Sequence, residues 1–314
     1  MSEFNCETVI DDLFSAAEKA LLIRMETDDA PAVLYHFTDA AGLIGILNSQ
    51  SLWASRAKSL NDASEIRYGI EMATKYLQEV AAATDNRSSR EFLETTLRYL
   101  CGQDTRPVTR LDIETFVVSF CADTERSGQW LHYGRSGTGY ALGLDSNGLQ
   151  NEHRKLIRVL YQIPEQQRLV GDAVALIQTR FLGLAEGRTD DDQSRIVALA
   201  ADICSLTLRA LVSRLKHPSF AEEKEWRLVF FDYRGKGIQE DPPGKFDRGF
   251  RASGSRIIPY LIVPYRKFGG LPLSEIILGY GVDLEAAVGA IRYILRNEEF
   301  NSNVLIGQST VPVR

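Results

Sequence analysis

Two long stretches of helical hydrophobic period, residues 164–186 and 193–215, stand among short runs of β-branched and aromatic residues. That order of periods decides the fold class. Strands gathered on either side of inserted helices, and not alternating with them one for one, belong to an α+β fold. We therefore expect a mixed, mostly antiparallel sheet core with flanking helices and a helical insertion.

The strand-like runs lie at 33–37, 52–55, 114–121, 139–144, 156–161, 226–231, 256–263, 275–278 and 304–307. Val9, Ile10, Leu13, Phe14, Ala17 and Leu21 form one stripe, which predicts a helix from Glu7 to about Met25. Asp39 precedes a second helix through Leu43, Ile46 and Leu47. Asp62 with Glu65, and Ser88 with Glu91, have capping-box spacing and predict helices to about Ala83 and Leu100. A last helix is expected over 284–295. The triplet Asp190-Asp191-Asp192 reads as a solvated connector, since three consecutive carboxylates cannot all face one ion.

No repeat of fixed period, low-complexity tract or long linker divides the chain. The expectation is a single α+β domain over 1–314, with an N-terminal helix within 1–30 and a helical insertion or subdomain at 164–215.

A net charge of -6 argues against a protein that coats duplex DNA or an anionic membrane. We expect no run of 18 apolar residues and no secretion signal at the start, and hence a cytoplasmic protein with no membrane partner. Cys6, Cys101, Cys121 and Cys204 form no CxxC pair, and His36, His132, His153 and His217 no HxxxH pair. No metal site of standard spacing is expected, and Cys121 and Cys204 read as small core hydrophobes.

Four segments can carry chemistry. Tyr35-His36-Phe37-Thr38 ends a strand, where His36 and Thr38 could hold a ribose or a carbonyl, or His36 could be structural. Asn61-Asp62 with Glu65 is a helix cap, or a metal or acid/base pair. The segment 129–140, with Trp130, Tyr133 and Tyr140 among mobile glycines, suits stacking on a planar ring, or is a hairpin packed on its own Trp. Glu222, Glu223 and Glu225 stand at the entrance of an apolar strand, where at least one carboxylate, Glu225 or Glu222, faces a cleft, or the segment is a charged edge with Glu225 and Arg227 paired on one strand face.

In this order the pieces resemble the bacterial domain of unknown function 2971 family. The resemblance is carried by Leu34-Tyr35-His36-Phe37-Thr38, Leu52-Trp53-Ala54-Ser55, Asn61-Asp62 with Glu65, Ser119-Phe120-Cys121, and Trp130 with Tyr133. It continues through 139–145, 220–227, Ile258-Pro259-Tyr260 and Val311-Pro312-Val313-Arg314, from about residue 33 onward. Ala63 stands where the family's proline is expected, which alters only how the helix begins.

A second resemblance bears on activity. His at the end of the first strand, a hydroxyl or aromatic in a middle strand, and Glu at the start of a later strand is similar to the motif order of NAD-dependent ADP-ribosyltransferases. It implies an enzyme that cleaves NAD at the nicotinamide–ribose bond and passes ADP-ribose to a protein or nucleic acid, as a toxin or defence effector. Glu225 and His36 would be catalytic, with Thr38, Ser55, Asn61, Ser119, Trp130, Tyr133, Tyr140 and Arg227 binding NAD. No metal is implied. Two other readings compete: a non-catalytic sensor that uses the 129–140 segment, and a metal-dependent nuclease or phosphoesterase built on Asp62, Glu65, Glu222 and Glu225.

Overall fold

The computed structural model describes residues 5–23, 30–59, 63–103, 112–151, 154–234, 246–300 and 303–311. Asn61 and Asp62 lie outside them, as do 312–314 of the closing motif. Along the chain run α1 (Cys6–Leu22), β1 (Val33–Thr38), α2 (Ala40–Ser49), β2 (Ser51–Arg56), α3 (Ala63–Ala83), α4 (Arg87–Leu100) and β3 (Asp112–Cys121). Next come α5 (Ser127–His132), β4 (Tyr140–Asp145), α6 (Ser146–Leu149), β5 (Lys155–Arg158), α7 (Ile163–Ala185) and α8 (Asp190–Leu211). The chain continues with β6 (Glu225–Arg234), β7 (Arg248–Ser253), β8 (Arg256–Pro264), β9 (Leu273–Leu278), α9 (Leu284–Asn297) and β10 (Leu305–Gln308). The fold is α+β.

Local chemistry accounts for the helix starts. Asn5 caps α1, accepting from the amides of Glu7 and Thr8, and the predicted stripe is largely buried. The carboxylates of Asp39 and Asp283 cap α2 and α9 in the same way. Two starts differ from expectation. Asn86, not Ser88, caps α4, because its side chain accepts from the Ser89 amide at 2.8 Å. Asp190–Asp192 are not a loop: Thr189 caps α8, and the three carboxylates form its first turn, where they meet the positive end of the helix dipole.

The strands pair antiparallel except β9 with β10, which run parallel. β3 organises them. One of its edges pairs with β6 along its whole length, and the other is shared, with Tyr35 of β1 opposite Cys121 and Ser55 of β2 opposite Val117. The sheet forks there into an arm β1-β4-β9-β10 and an arm β2-β8-β7.

The apolar residues fall into two main cores. One is helical, built from α1, α3, α4, α7 and α8, and the other joins the inner strands to α2 and α9. The helices expected as an insertion therefore do not pack by themselves; they complete a bundle begun by α1, α3 and α4, and α8 packs on β3. By length and mean hydropathy Asp190–Arg214 could cross a membrane, although Asp202 and Arg209 interrupt its apolar run, and 83% of its apolar window is buried inside the protein.

Candidate functional site

A cleft of about 250 Å³ opens between the arms of the fork. Its walls come from β1, β2, β3, β6, β7 and β8, from the start of α3 and from the segments before β6. Residues at positions 36, 119 and 225, far apart in sequence, meet here.

β3 is free between its pairings with β1 and β2, and His36 uses that gap: its Nδ1 lies 3.0 Å from the Ser119 carbonyl oxygen. A carbonyl only accepts, so Nδ1 carries the hydrogen. Burial lowers the imidazole pKa, opposed by the bond to Ser119 and assisted by Arg251. His36 is thus neutral, and its Nε2 remains an acceptor.

Glu225 opens β6 and is buried. Arg227, two residues on along the same strand face, donates Nε to Oε1 at 2.7 Å and Nη2 to Oε2 at 2.8 Å. Lys216, buried just beyond the end of α8, adds Nζ at 3.2 Å. Burial pushes the Glu225 carboxyl up, but Arg227 and Lys216 outweigh it and hold it well below the usual carboxylate range. Glu225 is an ionised carboxylate.

The ion cluster extends further. Glu65 accepts from Lys216 at 2.8 Å and from Arg227 at 3.0 Å, and Glu223 accepts a short bond from Lys216. Arg227 also donates Nη1 to the Ser213 carbonyl. Three carboxylates thus face two cations. Burial raises the Glu223 carboxyl despite Lys216, while Glu225 is lowered, so two neighbouring acids are driven apart in pKa.

Two sequence expectations change at this cluster. Glu65 is more than a helix cap: it reaches from the first turn of α3 across to β6. Four of the five N–H donors of Arg227 are engaged by Glu225, Glu65 and Ser213, so its first role is in the ion cluster and not toward a phosphate.

The 129–140 segment divides between its two readings. Trp130 is fully buried, with its indole N–H on the Thr124 carbonyl at 2.9 Å and its ring edge-on to Phe37, so it is a core anchor and not a ligand platform. Tyr133, next after α5, is 44% exposed and lines the cleft. Gly137 permits the loop to close, at φ 84°, where a Cβ would lie 2.1 Å from the Tyr280 ring. Tyr140 does not line the cleft: it pairs with Thr38 and Leu278 inside the sheet. Thr38 also lies outside it, under α2, where a Cβ on Gly42 would clash with its hydroxyl. Ser55 and Ser119 do line it.

Residues 129–228 match the model of the family described as protein of unknown function (DUF2971). Over this span the chain is similar to that family. The span holds Tyr133, Lys216, Glu223, Glu225 and Arg227, whereas His36, Glu65 and the β2, β7 and β8 wall lie outside it. No curated protein matches the chain, and no solved structure does.

Lys216, Arg251 and Ser253 are cleft residues that the sequence reading missed. Lys216 follows an apolar helix with no pattern around it. The other two lie on β7, whose residues alternate between exposed and half-buried and so lack an apolar signature. Cys121 also lines the cleft, but burial, then Glu225 and Glu223, push its thiol pKa up, so it is no nucleophile. Among the described residues no group of three His, Cys, Asp or Glu side chains is disposed to hold a metal ion. Glu222 points away, 87% exposed and paired with Arg126, so the carboxylates proposed for a nuclease do not all converge.

Proposed function

We propose that the protein is an ADP-ribosyltransferase-like enzyme that cleaves NAD and passes ADP-ribose to a protein or nucleic-acid acceptor, in the cytoplasm. The observation that carries this reading is the local surplus of carboxylate at one end of the cleft, Glu65, Glu223 and Glu225 against Lys216 and Arg227, with Arg251 set apart on the β7 wall. Loss of nicotinamide builds positive charge on the ribose ring, and a fixed negative surplus in a partly dry cleft favours that charge in the transition state.

Roles follow from the geometry. Glu225 is pinned and ionised, which suits an electrostatic stabiliser and not a base. Neutral His36 offers Nε2 to a ribose hydroxyl, and Tyr133 offers a ring face to nicotinamide. The C–N bond breaks with its electron pair leaving on nicotinamide. The acceptor then bonds to the ribose carbon and gives its proton to Glu223, whose raised pKa and 21% exposed side chain suit a proton acceptor.

A cleft that binds a nucleotide without turning it over is the second reading, favoured by Lys216 and Arg227 already engaging the Glu225 oxygens. Incubation with NAD, following free nicotinamide by mass spectrometry, separates the two. Release above the no-protein rate supports the enzyme, and an NAD-induced thermal shift without release supports the binding module.

A further inference from the structure

The enclosed part of the cleft is smaller than the ~300–1,000 Å³ of typical ligand pockets, so most of a dinucleotide would have to lie on its rim. The β2-β8-β7 wall has the chemistry to receive it. Trp53 is 44% exposed and stacks on Tyr260, with ring centroids 4.2 Å apart and planes within 11°. Tyr260 is itself held flat against β7 because Gly249 opposite has no side chain: a Cβ there would sit 2.4 Å from the ring. The stack is therefore a braced aromatic platform with one indole surface facing outward.

Beside it stands Arg251, on the same sheet face as Tyr260, since Arg251 pairs with Ile258 and Gly249 with Tyr260. Its Nη2 donates to the Ser55 hydroxyl at 3.2 Å, and no carboxylate among the described residues lies within ion-pair distance of it. Burial and then the nearby Arg256 disfavour its charge more than Tyr260 and Asp39 favour it, so an anion there would be welcome. Ser55 and Ser253, also in the wall, are neutral hydroxyls suited to phosphate oxygens. The carboxylates that line the cleft, Glu65, Glu223 and Glu225, lie in the cluster around Lys216 and Arg227, while the charged side chain lining this end is Arg251.

We propose that Trp53, Tyr260, Arg251, Ser55 and Ser253 form a subsite for a nucleoside diphosphate: the base lies flat on Trp53 and the diphosphate meets Arg251 and the two hydroxyls. The proposal rests on reading the cleft as a nucleotide site, but not on bond cleavage.

Trp130 and Trp226 are buried, which leaves Trp53 as the indole that a soluble ligand can reach. Titration of the full chain with ADP should quench its fluorescence saturably, and adenosine should bind at least about tenfold more weakly, as expected when a charge-assisted contact is absent. Arg251→Gln should weaken ADP by a similar factor, with partial recovery in Arg251→Lys. In Trp53→Phe the quench should vanish while calorimetry still detects ADP. Equal affinity for ADP and adenosine, or an Arg251→Gln affinity equal to wild type, would overturn the subsite.

Nicotinamide release in the same preparations separates this from the catalytic reading. Arg251-dependent ADP binding without release keeps the subsite and removes the enzyme. Release with an unchanged KM for NAD in Arg251→Gln does the reverse.

Discussion

Lys216 is the residue on which the cleft's electrostatics turn. One buried ammonium contacts three carboxylates from two sides of the molecule, and its own pKa is driven up by Glu225 and Glu65 in spite of burial. Removing one member of a buried ion network leaves the others uncompensated, at a cost of about 3–5 kcal/mol. Lys216→Met should lower stability by that amount in denaturant melts. Glu225→Gln is milder, because Glu65 and Glu223 then balance Lys216 and Arg227. The acid limb of stability gives a second test. Folded Glu225 titrates at about 2 against a usual 4.5, so its contribution is full above about pH 4.5 and is lost as pH falls toward 2. Glu223, raised by burial, has the opposite sign and favours the folded state less as pH rises. In Glu225→Gln the slope of stability between pH 4.5 and 2 should flatten, measured by melts at stepped pH; an unchanged slope would mean that the carboxylate is not held as described. Glu225 and Arg227 were legible as a pair from their spacing along one strand. Lys216 was not, because nothing local marks a lysine whose partners Glu65 and Glu225 lie on α3 and β6.

At the scale of elements, the loop after β3 shows how one segment serves two purposes. α5 is short, with Gly128 in its first turn and Gly134 just past its end, and Trp130 fixes it by filling the space beside Phe37 and bonding to Thr124. Its end then sets Tyr133 over the ion cluster. Trp130→Ala should cost about 3–5 kcal/mol, as large aromatic deletions in cores do. Tyr133→Ala, at a 44% exposed site, should leave the melting temperature within a degree or two but weaken NAD binding in a titration. If the two variants lost stability equally, the division of labour along this loop would be wrong. The long strands and helices were readable because their apolar periods are strong. β7 was not, since a half-buried wall of a cleft is built from Arg, Gly and Ser, which carry no period.

For the whole molecule, the ion cluster lies where the helical bundle meets the forked sheet: Glu65 from α3 and Lys216 after α8 on one side, Glu225 and Arg227 of β6 on the other. The α+β class followed from the order of periods. The bundle did not, because α1, α3 and α4 join α7 and α8 through contacts between distant parts of the chain that one-dimensional periodicity does not encode. The same topology brings His36, Ser119 and Glu225 to one cleft, where we propose that NAD is cleaved. The measurement that tests it most directly is nicotinamide release by wild type and Glu225→Gln, with melting curves on the same samples. Wild type should release nicotinamide, the variant at least ~10²-fold less, as for loss of a key electrostatic group, and both should melt cooperatively. No release by wild type, or equal release by a folded Glu225→Gln protein, would contradict it.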